Sequence, residues 1–163
     1  MSFHRLLKDK VVSKEMALQR VNTLRSEQKK VVFTNGCFDI VHPGHVDYLC
    51  QARDLGDFLV LGLNTDRSVK SLNKAPNRPI NNEHTRAIVL AGLACIDLVV
   101  MFDEETPYDL IKLLQPSILV KGNDYAVENI VGYDIVTANG GEVITIPMLE
   151  GYSTTKLIEK ILS

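Results

Sequence analysis

Short apolar runs rich in β-branched residues recur along the chain, at Val31 to Thr34, Phe58 to Asn64, Leu98 to Phe102, Ile118 to Lys121 and Val143 to Pro147. None alternates strictly between polar and apolar, which predicts strands covered on both faces. Segments with helical spacing separate them. From Ser13 to Gln28, Ala17, Val21 and Leu24 mark one face, and from His45 to Leu55 the positions Val46, Leu49, Cys50 and Arg53 share another. A third helix is predicted from about Asn82 to Ala94, and a fourth opens with Thr106 as cap and Pro107 at the first helical position, stopping before Pro116. A shorter helix precedes the Gly140-Gly141 stop and a final one begins at Ser153. Strand and helix in alternation predict an α/β fold with about five parallel strands between two helical layers.

The expected organisation is one domain over residues 1–163, with an N-terminal helix at about 13–28 and an α/β core at about 30–163. A chain of 163 residues hides roughly 69% of its unfolded surface on folding, enough for a real core. Hydrophobic residues at 45% and charged residues at 23% exclude a disordered or collagen-like chain. Eighteen basic against twenty acidic residues leave a net charge of -2, so no overall field draws nucleic acid or an anionic membrane. No apolar stretch reaches the ~18 residues that a membrane span needs, and the charged N-terminus lacks a signal core, so a cytoplasmic location is expected. Cys37, Cys50 and Cys95 lack CxxC spacing and read as reduced thiols, and no metal site is expected.

In open α/β sheets, ligands bind beyond the carboxyl ends of the strands. The first run leads into Thr34-Asn35-Gly36-Cys37-Phe38-Asp39, then His42-Pro43-Gly44-His45 and a helix. Gly36 admits a ligand close to backbone amides, and the helix start favours an anion. His42 and His45 there read as phosphate donors, against the alternatives of capping residues or half of a metal site. At the last strand's exit, Gly151-Tyr152-Ser153-Thr154-Thr155 places three hydroxyls where a cap needs one, giving a second phosphate grip if both helix starts share a crevice.

These segments resemble the HxGH nucleotidyltransferase superfamily, in its cytidylyltransferase-like group. Within that group, Asn64-Thr65-Asp66 with Ser68-Val69-Lys70, Asn77-Arg78-Pro79-Ile80, Arg86, Lys121-Gly122-Asn123-Asp124-Tyr125, Val131-Gly132 and Gly140-Gly141-Glu142-Val143 resemble the adenylyltransferase half of bifunctional heptose kinase/adenylyltransferases. The likeness runs from about Ser13 to Ser163. It implies a three-layer Rossmann-like nucleotidyltransferase fold with strand order 3-2-1-4-5. The implied reaction is AMP transfer from ATP, with Mg²⁺, to heptose 1-phosphate, giving ADP-heptose for the lipopolysaccharide core and pyrophosphate. A separate heptose kinase and a homodimer or larger homo-oligomer are implied with it. One departure stands out, since related transferases often carry Arg just before the Ser-Thr-Thr run, where this chain has Tyr152.

On this resemblance His42 and His45 donate to the α- and β-phosphates. The backbone of Thr34, Asn35, Gly36 and Cys37 holds the α-phosphate region, Ser153, Thr154 and Thr155 bind the outer phosphates, and Phe38 and Gly151 are expected at the nucleotide. Lys74, in the polar loop Asn73 to Pro79, reads equally as a catalytic lid residue and as a solvated lysine. Arg78 and Arg86 are expected to grip the sugar phosphate. Lys121, ending a strand, is expected at the nucleotide. Asp39 reads as a partner of substrate hydroxyls, a metal or a histidine, and Asn64 and Asp66 as sugar contacts or helix caps. Cytidylyl transfer to glycerol 3-phosphate, adenylyl transfer to FMN, and nucleotide binding without turnover remain the alternatives.

Overall fold

Valine and isoleucine crowd their own backbone at χ1 and pack well on a pleated surface, and the runs rich in them are the strands. The computed structural model describes residues 2–72, 77–123 and 126–163. In chain order its elements are α1 (Phe3–Asp9), β1 (Val11–Val12), α2 (Lys14–Ser26), β2 (Val31–Gly36), α3 (Pro43–Asp54), β3 (Phe58–Asn64), α4 (Asp66–Ser71) and α5 (Glu83–Ala91). There follow β4 (Leu98–Phe102), α6 (Tyr108–Leu114), β5 (Ile118–Gly122), a 3₁₀ turn (Val127–Asn129), α7 (Tyr133–Ala138), β6 (Glu142–Ile146) and α8 (Thr154–Leu162).

All strands pair in parallel in the order β1-β4-β3-β2-β5-β6. The five expected strands thus lie in the expected 3-2-1-4-5 order, but the count is corrected to six among the described residues. The added strand, β1, has two residues, too few to show a period. It pairs Val11 with Val99 and Val12 with Val100 at the sheet edge, and Val99 N–H donates to Lys10 O at 2.8 Å.

Alternate residues of each strand face opposite layers, and both faces are apolar. Val32, Leu59, Leu61, Leu63, Val99 and Val120 pack under α3 and α5, against Leu49, Ala52, Ala87 and Leu90. Val31, Phe33, Val60, Leu98, Val100 and Leu119 pack on the other face against Ala17 and Val21 of α2, Leu110, Ile111 and Leu114 of α6, and Val136 of α7. Two covered faces explain why no strand alternates in sequence.

The helix starts follow their caps. Ser13, Thr65, Asn82 and Ser153 each accept from the backbone N–H three residues on. Three expectations are corrected here. The helix expected from His45 begins at Pro43, because the His42 side chain is the cap and Pro43 fits the first turn. The helix expected to be capped by Thr106 starts at Tyr108, with Pro107 at the cap position and no side-chain cap bond. Thr65, not Asn64 or Asp66, caps α4.

Candidate functional site

The site lies at the carboxyl ends of the central strands, where β2 leaves the sheet. Thr34 is fully buried, its hydroxyl donating to Val120 O at 3.0 Å and bonded to the Tyr48 hydroxyl at 2.8 Å, so its side chain fixes β2 to β5 and α3. Beyond it, Gly36 makes a close approach possible: a Cβ there would lie 2.8 Å from the Phe38 ring. Phe38 itself adopts φ +43, a left-handed conformation costly for an aromatic residue, and its buried ring meets His45 edge-on with centroids 5.1 Å apart.

His42 and His45 stack, with ring centroids 3.8 Å apart and planes 18° from parallel. His42 Nδ1 accepts from His45 N–H at 3.4 Å, which leaves its proton on Nε2. His45 Nδ1 is buried without a hydrogen-bond partner. Burial lowers the pKa of His42. Burial, then the charges of His42 and Arg78, push His45 down from 6.5 to about 4, against a smaller opposing pull from the Ile40 backbone. Both imidazoles are therefore neutral near pH 7 in the ligand-free chain.

The second helix start arrives beside them. The Tyr152 ring lies nearly parallel to that of His42, 6.2 Å centroid to centroid, and half exposed. A Cβ on Gly44 would come within 3.2 Å of both the His42 ring and Tyr152 Cβ, so Gly44 serves this close approach more than the turn into the helix. Gly151, at φ +87, turns the chain into Ser153, whose hydroxyl caps α8, with Thr154 and Thr155 in its first turn. The His-Pro-Gly-His and Ser-Thr-Thr segments thus meet at one place.

A clamp of buried charges supports the other side. Asp39 accepts from Ile80 N–H and Asn81 N–H, both at 2.8 Å, and pairs with Arg78 Nε at 2.6 Å, a charge contact without hydrogen-bond alignment. Asn81 Nδ2 returns a bond to Asp39 O at 2.7 Å. The Asp39 carboxylate therefore holds protein groups, where the sequence left it open between a substrate, a metal and a histidine. Arg86 is corrected likewise. It is almost wholly buried and donates to Asn81 O, Cys37 O, Asn64 O and Asp66 Oδ1, which leaves no free face for a sugar phosphate. Its signal in the sequence was a position one helical turn inside α5, on the face with Ala87 and Leu90 that is buried.

Asn35, Gly36, Cys37, Asn64 and Lys121 line a cleft of about 370 Å³ together with Leu72, the loop Glu105 to Pro107, and Asn129 to Val131. Lys121 Nζ donates to Asn35 O at 3.4 Å. Asn64 Nδ2 donates to Ser68 Oγ at 2.9 Å. Sequence reasoning missed Leu72, Glu105 and Asn129, whose only signal was a place just after a strand or short helix. Lys74 lies outside the described residues, as do Asp124 and Tyr125. Among the described residues no cluster of three His, Cys, Asp or Glu side chains forms a metal site, and no helix is long and apolar enough to cross a membrane.

A family model described as cytidylyltransferase-like matches residues 33–160. Bifunctional protein HldE of Syntrophotalea carbinolica is 52% identical over 163 residues, covering 99% of this chain and 33% of that protein. HldE of Citrifermentans bemidjiense is 58% identical over 138 residues, 85% of this chain and 28% of that one. The chain thus spans about a third of the length of these relatives. Among solved structures, the lipopolysaccharide core biosynthesis protein of Thermoplasma volcanium GSS1 matches with a TM-score of 0.63 at 24% identity, covering 75% of this chain and 99% of that one. Pantoate-beta-alanine ligase of Francisella tularensis matches with a TM-score of 0.61 at 13% identity, over 86% and 67% of the two chains. At such identities these two likenesses carry the fold alone.

Proposed function

The chain belongs to the cytidylyltransferase-like family of nucleotidyltransferases, and from that premise we propose that it transfers AMP from ATP to heptose 1-phosphate, forming ADP-heptose and pyrophosphate. The observation that carries this reading is the meeting of the stacked His42–His45 pair with Tyr152 and the capped start of α8 beyond the ends of parallel strands. Identity of about half to HldE over nearly the whole chain supports the choice of acceptor.

A phosphate monoester has a second pKa of about 6, so the attacking oxygen is already ionised at neutral pH. The reaction needs no general base, only alignment and charge neutralisation at the α-phosphorus. Mg²⁺ brought in with ATP would supply part of that neutralisation. His42 Nε2–H donates to the α- or β-phosphate. His45, neutral in the free chain, gains a proton as the polyanion arrives, since a nearby negative charge raises its pKa. The amides of Asn35 to Cys37 face the α-phosphate, and Ser153, Thr154 and Thr155 hold the outer phosphates at the N-terminus of α8. Arg78, beside Asp39 and close enough to lower the His45 pKa, meets the acceptor phosphate.

Pyrophosphate release tests the reading, with ATP and CTP each crossed with heptose 1-phosphate, glycerol 3-phosphate and FMN. Release with ATP and heptose 1-phosphate is expected. Release only with another pair reassigns the substrates, and no release with any pair makes the chain a binding module.

A further inference from the structure

We propose that Cys50 and Cys95, free thiols in the resting chain, are a peroxide-sensitive pair that closes to a disulfide between α3 and the turn after α5. The site is independent of the nucleotidyl-transfer reading and uses none of the residues assigned to the phosphates.

Two neighbouring contacts bring these elements together. Cys50 and Arg53, three apart, lie on one face of α3, and Cys95 and Asp97 stand two apart in the segment between α5 and β4. Arg53 Nε meets Asp97 Oδ2 at 2.8 Å, and that oxygen also accepts from Leu59 N–H at 2.8 Å, which anchors the contact to β3. Beside it, the side chains of Cys95 and Cys50 are hydrogen-bonded. The backbones around both thiols are held, because Leu49 and Ala52 of α3 share one buried cluster with Leu90, Ala91 and Ile96. Spacing in the sequence concealed the pair, since the two cysteines stand far apart along the chain.

The two thiols differ in access. Cys50 is exposed and Cys95 is partly buried. Burial, then the neighbouring Cys50, raise the Cys95 pKa, against a smaller pull from the ammonium of Lys10, which donates to Leu93 O at 3.2 Å. Cys95 is therefore protonated at neutral pH, and the exposed Cys50 is the thiol that meets the oxidant, a hydroperoxide. Cys50 Sγ takes one peroxide oxygen as a sulfenic acid while the other leaves as water. Cys95 Sγ then attacks Cys50 Sγ. The S–S bond forms, the S–O bond breaks, and the hydroxyl leaves with the Cys95 proton as a second water, so that the two sulfurs give two electrons to the peroxide. Because α3 begins beside His42 and carries His45, the bond ties the helix of the candidate site to the segment ahead of β4.

The full chain, reduced and kept dilute so that pairing between chains is disfavoured, is treated with hydrogen peroxide, alkylated and mapped by mass spectrometry without reductant. Alkylatable thiols are expected to fall from three to one, that of Cys37, with one peptide pair linked through Cys50 and Cys95, and dithiothreitol is expected to restore all three. Cys95→Ser is expected to leave Cys50 as a sulfenic acid that dimedone traps, a species the wild type consumes in closing the bridge. Urea unfolding of the bridged chain is expected at a higher midpoint than that of the reduced chain, since the bond closes a long loop of the unfolded state. Three alkylatable thiols after treatment, a bridge that includes Cys37 or joins two chains, or a lower unfolding midpoint overturns the pair.

Discussion

Two imidazoles are held 3.8 Å apart, one capping the helix that carries the other. Burial first, then His42 and Arg78, lower His45 from 6.5 to about 4, and within that window the unfolded chain binds a proton that the folded chain refuses. The sign follows: stability is full above about pH 6.5 and declines as pH falls towards 4. Denaturant unfolding at about pH 7 and pH 5 is expected to show a larger loss in wild type than in His45→Asn. An equal loss in both removes His45 from the titration. At neutral pH, His42→Ala is expected to slow the chemical step about a hundred- to a thousandfold in single turnovers, with ATP binding much less affected. Tyr152 supplies a third residue-scale prediction. Its ring faces His42 from a half-exposed position, so Tyr152→Arg places a guanidinium beside the phosphates and is expected to tighten ATP binding by about 1.5–3 kcal/mol at low salt. The gain shrinks as salt rises, and an unchanged dissociation constant at low salt removes the position from the phosphate site. The His42–His45 pair was legible in the sequence because histidines three apart at a helix start declare themselves. The left-handed Phe38 that braces His45 was not, since an aromatic residue gives no sign of a positive φ.

Elements meet at the site through Arg86, which leaves α5 to hold the carbonyls at the ends of two loops, Cys37 and Asn64, together with Asn81 and Asp66. Arg86→Ala strands these acceptors in a buried place and is expected to cost about 3–5 kcal/mol by chemical denaturation. Asp66→Asn, at a partly exposed carboxylate, is expected to cost much less, and equal costs would contradict the clamp. From sequence, Arg86 looked like any arginine reaching for a phosphate. Only the three-dimensional crossing of α5 with the loops after β2 and β3 separates a clamp from a ligand contact. Helix starts were legible where Ser13, Asn82 and Ser153 cap them, because the cap is local chemistry. The start of α3 was two residues off because the capping side chain is an imidazole, and α1, with no buried residue, left no apolar stripe to read.

The whole molecule is a parallel sheet covered on both faces, whose central strand, β2, delivers the segment from Gly36 to His42 between its neighbours β3 and β5. The order of the five longer strands followed from resemblance, since an apolar run carries no record of its neighbour. The edge strand β1 escaped because two residues hold no pattern. That topology brings the starts of α3 and α8 together beyond the end of β2, where ligands bind in open parallel sheets. The most direct test of the proposed transfer is the fate of the α-phosphorus. The full chain is incubated with Mg²⁺, heptose 1-phosphate and ATP labelled at the α-phosphate, and the products are separated. The label is expected in ADP-heptose with one pyrophosphate released for each molecule formed, and in neither product for the His42→Ala, His45→Ala double variant over the same time. Label that remains in ATP, or that ends in free AMP at the same rate with and without the acceptor, contradicts it.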